Sequence, residues 1–185
     1  DVTSLHPSRR PVTMLFQEHN LFAHLSAADN VGLGINAGLR LAPQDRERIG
    51  AALAQVGLDG FEKRVPAELS GGERQRVALA RSLVRNRPVL LLDEPFAALG
   101  PALRREMLDP VNELRRSRRL TVLFVSHQPE DALYAAERTA FVHGGHVLQV
   151  ALTREIFDGS SCAELKAYLG EHWMGYPPRL DSGRA

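Results

Sequence analysis

The chain is 185 residues long, 44% hydrophobic and 24% charged, with a formal net charge of +1. That size and apolar share suit one domain with a sizeable core, and the balanced charge gives no basis for a nucleic-acid-binding face. Cys162 is the one cysteine, which excludes an intramolecular disulfide and a thiolate metal site and suits a reducing cytosol. No apolar run approaches the ~18 residues of a membrane span, and no signal peptide opens the chain. Asp1 begins what reads as mid-sequence material, as in a fragment, and residues 175–185 are rich in Pro and Gly and expected to be loose.

In chain order, the first apolar run is Val12-Thr13-Met14-Leu15-Phe16, followed at once by Gln17-Glu18. Its composition predicts a buried parallel strand. Gly32-Leu33-Gly34 has the look of a dinucleotide fingerprint, but no strong strand precedes it and the later glycines do not fit, so it is read as a loop. Residues 44–56 place Ile49, Ala52, Leu53 and Val56 on one face, with Pro43 near the start and Gly57 as a stop, which predicts a helix.

Ser70 and Glu73 form a capping box: a side-chain oxygen at N-cap and a carboxylate at N3 answer one another's backbone N–H groups. The helix they open runs through Val77, Ala80, Leu83 and Val84 and gathers Arg81, Arg85 and Arg87 towards its C-terminal end, where the helix dipole favours cations. Capping boxes begin many structural helices, but the pair Gly71-Gly72 argues for more. Alanine inside a helix would stabilise it by about 1 kcal/mol over glycine. Two glycines at a helix start leave the backbone N–H groups open to an anion.

Residues 89–92 predict a second strand, ending in Asp93-Glu94, and residues 120–125 a third, ending in Ser126-His127. Between them, a helix is expected from Pro101 to about Arg116. Pro110 falls inside it, at a cost of roughly 3 kcal/mol, which predicts a kink or an early stop near Leu108. Pro129 opens another helix, and residues 139–142 and 147–150 flank His143-Gly144-Gly145-His146 as a glycine-turn hairpin. His143 and His146 are close enough to form a metal pair, but with no further ligand nearby they are read as surface residues. Ala163 to Leu169 predicts a short amphipathic helix. In parallel sheets, ligands bind beyond the carboxyl ends of the strands, so Gln17, Asp93-Glu94 and Ser126-His127 are expected to converge on one crevice suited to a phosphorylated ligand and a metal ion.

Taken together, these motifs resemble the ATP-binding cassette (ABC) ATPase family. Leu69 to Arg76 is similar to its signature motif with Glu in the fifth position, residues 89–94 to Walker B, Phe16-Gln17 to the Q-loop, and Ser126-His127 to the H-loop. Within the family, Pro7-Ser8-Arg9-Arg10-Pro11-Val12, Met14-Leu15-Phe16-Gln17-Glu18, Asn20-Leu21-Phe22, Asn30-Val31-Gly32-Leu33-Gly34 and Pro95-Phe96 look most like the ATPase subunit of bacterial thiamine importers. The resemblance implies an α/β, P-loop NTPase-type cassette: a parallel core sheet flanked by helices, lacking its N-terminal strands. It divides the chain into an α-helical subdomain at about 18–69, a core at 70–150 and a tail at 151–185.

The resemblance also implies roles. Asp93 would hold Mg²⁺, with Gln17 sensing Mg²⁺ and the γ-phosphate of ATP. Glu94 would be the general base, and His127 would stabilise charge at the γ-phosphate. Ser70, Gly71, Gly72 and Glu73 would meet ATP held by a second ATPase subunit in a head-to-tail homodimer. The further partners are transmembrane permease subunits and a periplasmic substrate-binding protein, with the ATPase peripheral on the cytoplasmic face of the bacterial inner membrane and no nucleic acid involved.

Two departures qualify that expectation. The Gly-rich Walker A loop ending in Lys-Ser/Thr is not found among these residues, so the chain alone is expected to be inactive. Ala97-Ala98-Leu99-Gly100 stands where the family has Ser-Ala-Leu-Asp, a segment whose carboxylate helps link the two composite sites. The other function open to the sequence is a non-catalytic, truncated or degenerate cassette that only binds permease or a full-length partner. An incomplete sheet is also expected to leave an edge and part of the core uncovered, lowering stability and favouring association.

Overall fold

The structure is a computed structural model that describes residues 1–15, 20–97, 99–158, 162–170 and 173. The chain divides into two compact units, Asp1–His127 and Gln128–Ala185.

The first unit is built on three parallel strands in the order β1-β2-β3: β1 (Val12–Leu15), β2 (Val89–Asp93) and β3 (Thr121–Val125). The register aligns Leu15 with Leu92 and Leu92 with Phe124, so the strands end together. Asp93 is the last residue of β2, paired with Val125, and not the first residue beyond the strand.

The expectation of fully buried strands holds for one face only. Thr13, Leu15, Leu90 and Leu92 are buried, whereas on the opposite face Met14, Leu123 and Val125 are 42%, 60% and 49% exposed. A sheet rich in apolar residues on both faces normally needs helices on both. Here α3 (Gly71–Val84) packs against β1, and among the described residues of this unit no helix buries Met14, Leu123 or Val125 on the second face.

Three helices pack on one another: α1 (Ala27–Gly32), α2 (Pro43–Gln55) and α3. Ser26 caps α1, its Oγ accepting from the Asp29 N–H at 3.1 Å. Asn30 is fully buried, and its amide meets the Phe22 N–H and the Phe22, Leu25 and Ser26 carbonyls, so a polar side chain is fully satisfied inside the cluster. The face predicted for α2 is the one buried, and Gly57 ends it at φ +70°, a left-handed conformation that glycine adopts at no cost.

The loop reading of Gly32-Leu33-Gly34 holds for Leu33 and Gly34, which lie in a turn, and needs correction at Gly32. Gly32 is the last residue of α1, and Gly34 sits where a Cβ would collide with the Arg81 carbonyl. Glycine is there because the end of α1 approaches the backbone of α3 closely. The last carbonyls of α3 are met by guanidiniums from two other helices: Arg48 donates to Val84 O at 2.9 Å and Arg118 to Leu83 O at 3.1 Å.

The break expected near Leu108 does not occur. Helix α4 runs unbroken from Pro101 to Arg118, with Pro110 inside it, and ends at Arg119 in a left-handed conformation. Met107 and Leu108 before the proline, and Val111 and Leu114 after it, are all buried. Packing on both sides of the proline outweighs the lost hydrogen bond.

The second unit contains α5 (Pro129–Ala135), the antiparallel pair β4 (Arg138–His143) and β5 (His146–Leu152), α6 (Thr153–Phe157) and α7 (Ala163–Leu169). Gly144 and Gly145 both take positive φ, as a two-residue hairpin turn demands. Ile156, Phe157 and Leu165 form its core, with Leu133, Phe141 and Trp173 packed against it. His143 and His146 face one another across the hairpin and are exposed, and among the described residues no group of three metal-ligating side chains forms.

Candidate functional site

The sequence-predicted residues fall into two groups. The first is the start of α3. Ser70 has extended backbone angles, its Oγ accepts from the Glu73 N–H at 3.3 Å, and the Glu73 carboxylate accepts from the Ser70 N–H at 2.6 Å. The capping box is thus formed in both directions. The Ser70 backbone bond is the main reason that Glu73's pKa is lowered from the ordinary 4.5; its side-chain bond and the nearby Arg64 and Arg76 charges act in the same direction.

Ser70 and Gly71 are exposed, so the helix start opens to solvent. A Cβ on Gly71 would find the Arg74 guanidinium as its nearest neighbour, at 4.0 Å. The same guanidinium donates to Leu69 O at 2.8 Å and to Pro66 O at 3.3 Å, which fixes the approach of the chain to Ser70. Arg74 was not singled out from sequence. Its signal would have been a cation one turn inside a helix whose N-terminus otherwise favours anions.

The second group lies at the carboxyl end of β2. Asp93 is exposed, and next to it Glu94 is half-buried. The Glu94 Oε2 is 3.1 Å from His127 Nδ1, joining the ends of β2 and β3. Both side chains remain partly exposed, so the pair's value is in placing a carboxylate and an imidazole together and not in adding stability. The Glu94 N–H donates to Val125 O at 3.0 Å, and its carbonyl accepts from the Ala97 N–H at 3.3 Å. Glu94 also has φ +43°. For a residue with a full side chain this left-handed conformation costs on the order of 1–3 kcal/mol, and such strain clusters at functional positions.

A further residue, Gln75, ties α3 to this turn: it is buried, and its Nε2 donates to the Pro95 carbonyl. The sequence signal was a polar residue on the helix face shared with Leu79 and Ser82. Gln17, expected to join this group, lies outside the described residues, as does Phe16. The exposed Asp93 carboxylate at a strand end suits Mg²⁺, which keeps several waters and takes most other ligands from phosphates and needs no closed protein cage.

Comparisons with known proteins bear on this geometry. The family model described as ABC transporter matches residues 1–97. The chain is 56% identical over 170 residues to the thiamine import ATP-binding protein ThiQ of Mesorhizobium japonicum, covering 92% of this chain and 67% of that protein. It is 55% identical over 171 residues to the protein of the same name from Brucella suis, covering 92% and 71%. The likeness to that of Escherichia coli O157:H7 is 52% over 163 residues, covering 88% and 70%. Among solved structures, a dimeric post-hydrolysis ATP-binding cassette bound to ADP and Pi superposes with a TM-score of 0.67 at 31% identity, covering 77% of this chain and 62% of that one.

Proposed function

Because the chain belongs to the ABC transporter family of ATP-binding proteins, we propose that it is part of the ATP-hydrolysing subunit of a bacterial importer, with thiamine as the transported substrate. The observation that carries the catalytic reading is the turn after β2: a carboxylate held in a strained backbone conformation, 3.1 Å from an imidazole and next to a second, exposed carboxylate.

In this reading Glu94 is the general base that orients the attacking water and takes its proton. His127 holds the Glu94 carboxylate through Nδ1, which places the imidazole beside the base, where it would stabilise charge developing at the γ-phosphate. Asp93 would hold Mg²⁺, which when bound would offset phosphate charge, and Gln17 would be a further ligand to it. At the other group, Ser70, Gly71 and Gly72 present backbone N–H groups to the γ-phosphate of ATP held by the second subunit, with Glu73 fixing the helix start. The Arg74 guanidinium adds positive charge beside Gly71. The phosphate-cradling loop is not among these residues, so the 185 residues alone supply part of each composite site. Residues 18–69 form the helical subdomain that docks on the permease, placing the subunit at the cytoplasmic membrane surface; among the described residues no helix is long and apolar enough to cross a membrane.

The test is phosphate release from MgATP by the native protein assembled with its permease and binding protein. Turnover stimulated by thiamine, and lost in Glu94→Gln, is expected. Turnover that survives Glu94→Gln overturns the catalytic assignment, and stimulation by a polyamine, sulfate or ferric iron in place of thiamine overturns the substrate.

A further inference from the structure

Gln75 lies in the second turn of α3, five residues beyond Ser70, and is 3% exposed. An apolar side chain of similar length would fill this position and leave no polar atom behind. Instead, one end of the buried amide donates to the Pro95 carbonyl, and the other, Oε1, has no hydrogen-bond partner among the described residues. A carbonyl can only accept, so the amide nitrogen is the end that faces Pro95. A half-satisfied buried amide is a net cost to stability, which makes the bond to Pro95 the reason for the residue.

The Pro95 carbonyl belongs to the residue that follows Glu94. Proline has no N–H and a fixed φ, so this stretch has few ways to be anchored and little freedom to absorb a displacement. The backbone at Glu94 is held from three directions: its N–H by Val125 O, its carbonyl by the Ala97 N–H, and the next residue by Gln75. Two of these anchors come from β3 and from the local turn. The third comes from α3.

We infer that Gln75 is a positioning residue that passes the position of the Ser70–Gly72 end of α3 to the backbone of Glu94. The inference rests on the proposed function. There, the start of α3 senses nucleotide held by the second subunit, while Glu94 acts on nucleotide held by its own subunit. One side chain then joins the two composite sites within each subunit. This route does not pass through Gly100, which stands where the family's coupling carboxylate would be.

The test uses Gln75→Met, which keeps the length and removes both polar atoms. Backbone amide hydrogen exchange on the full chain is expected to show the Glu94 and Ala97 amides exchanging about fivefold faster or more, with the amides of Val77 to Val84 unchanged. Gln75→Leu, read the same way, guards against a folding failure of the first variant. In the native ATPase with MgATP, kcat is expected to fall roughly tenfold at unchanged KM, because the general base is displaced while nucleotide binding is not. A merely structural bond would raise exchange evenly through the first unit or leave Glu94 untouched, and either result overturns the inference whatever the turnover. A native protein that releases no phosphate would instead overturn the ATPase reading and leave the exchange result standing.

Discussion

The start of α3 and the end of β2 are both polar sites at the tip of an element, yet they are held in opposite ways. At the start of α3 the partners are near in sequence: Ser70 with Glu73, and Arg74 with Leu69 and Pro66. The Ser70–Glu73 bonds cap the helix start and the Arg74 bonds fix the chain that leads into it, and none requires an unusual backbone angle. At the end of β2 one bond is local, from the Ala97 N–H, but Val125 and His127, which also hold Glu94, are 31–33 residues away, and Glu94 sits at φ +43°. The first site stabilises the fold that carries it. The second is maintained against a local cost by the sheet around it, as befits a group placed for chemistry.

The contrast can be broken by mutation, beginning with the largest effect. Glu94→Gln removes the proton acceptor but keeps the shape, and is expected to lower phosphate release by the native ATPase by about 10²–10⁴-fold without loss of folding. Next come two stability changes of opposite sign, read by urea unfolding at constant m-value. Ser70→Ala removes a cap and should destabilise by about 1 kcal/mol. Glu94→Gly relieves the left-handed strain and should stabilise by about 1 kcal/mol while abolishing turnover. A loss of stability in both would mean that Glu94 is held by its contacts and not against strain.

The smallest effect is that of pH on Glu73. Its folded pKa lies below the ordinary 4.5. The bond to the Ser70 N–H therefore contributes stability that is fully present above pH 4.5 and is lost as pH falls through the lower folded value. The advantage of the natural chain over Glu73→Gln should shrink over that interval in thermal melts. An advantage that grows on acidification would contradict the assignment.

Much of this was legible in the sequence where the determinants are local. The capping box, the α2 face, the glycine turn of the hairpin and α7 depend on residues within seven positions of one another, and all are found as read. What the sequence did not show depends on distant packing. Pro110 was expected to break α4, but Met107, Leu108, Val111 and Leu114 are buried on both sides of it and the helix continues. Gly34 lies in a turn, as read, but the reason for glycine there is the Arg81 carbonyl, 47 residues on in the chain. Of the site, the types of residue at the strand ends were readable; the φ of Glu94, its distance to His127 and the bond from Gln75 were not, because each is set by elements far apart in the chain.

Sharing of the site between subunits is tested most directly by phosphate release from paired variants of the native ATPase, with Gly71→Asp disabling the helix start and Glu94→Gln the base. If each site takes its base from one subunit and its helix start from the other, a dimer with the two changes on different subunits keeps one intact site and turns over. A dimer with both changes on one subunit then keeps none and is inactive. The reverse result, activity only when both changes sit on one subunit, would show that each subunit builds its site alone and would contradict the shared arrangement.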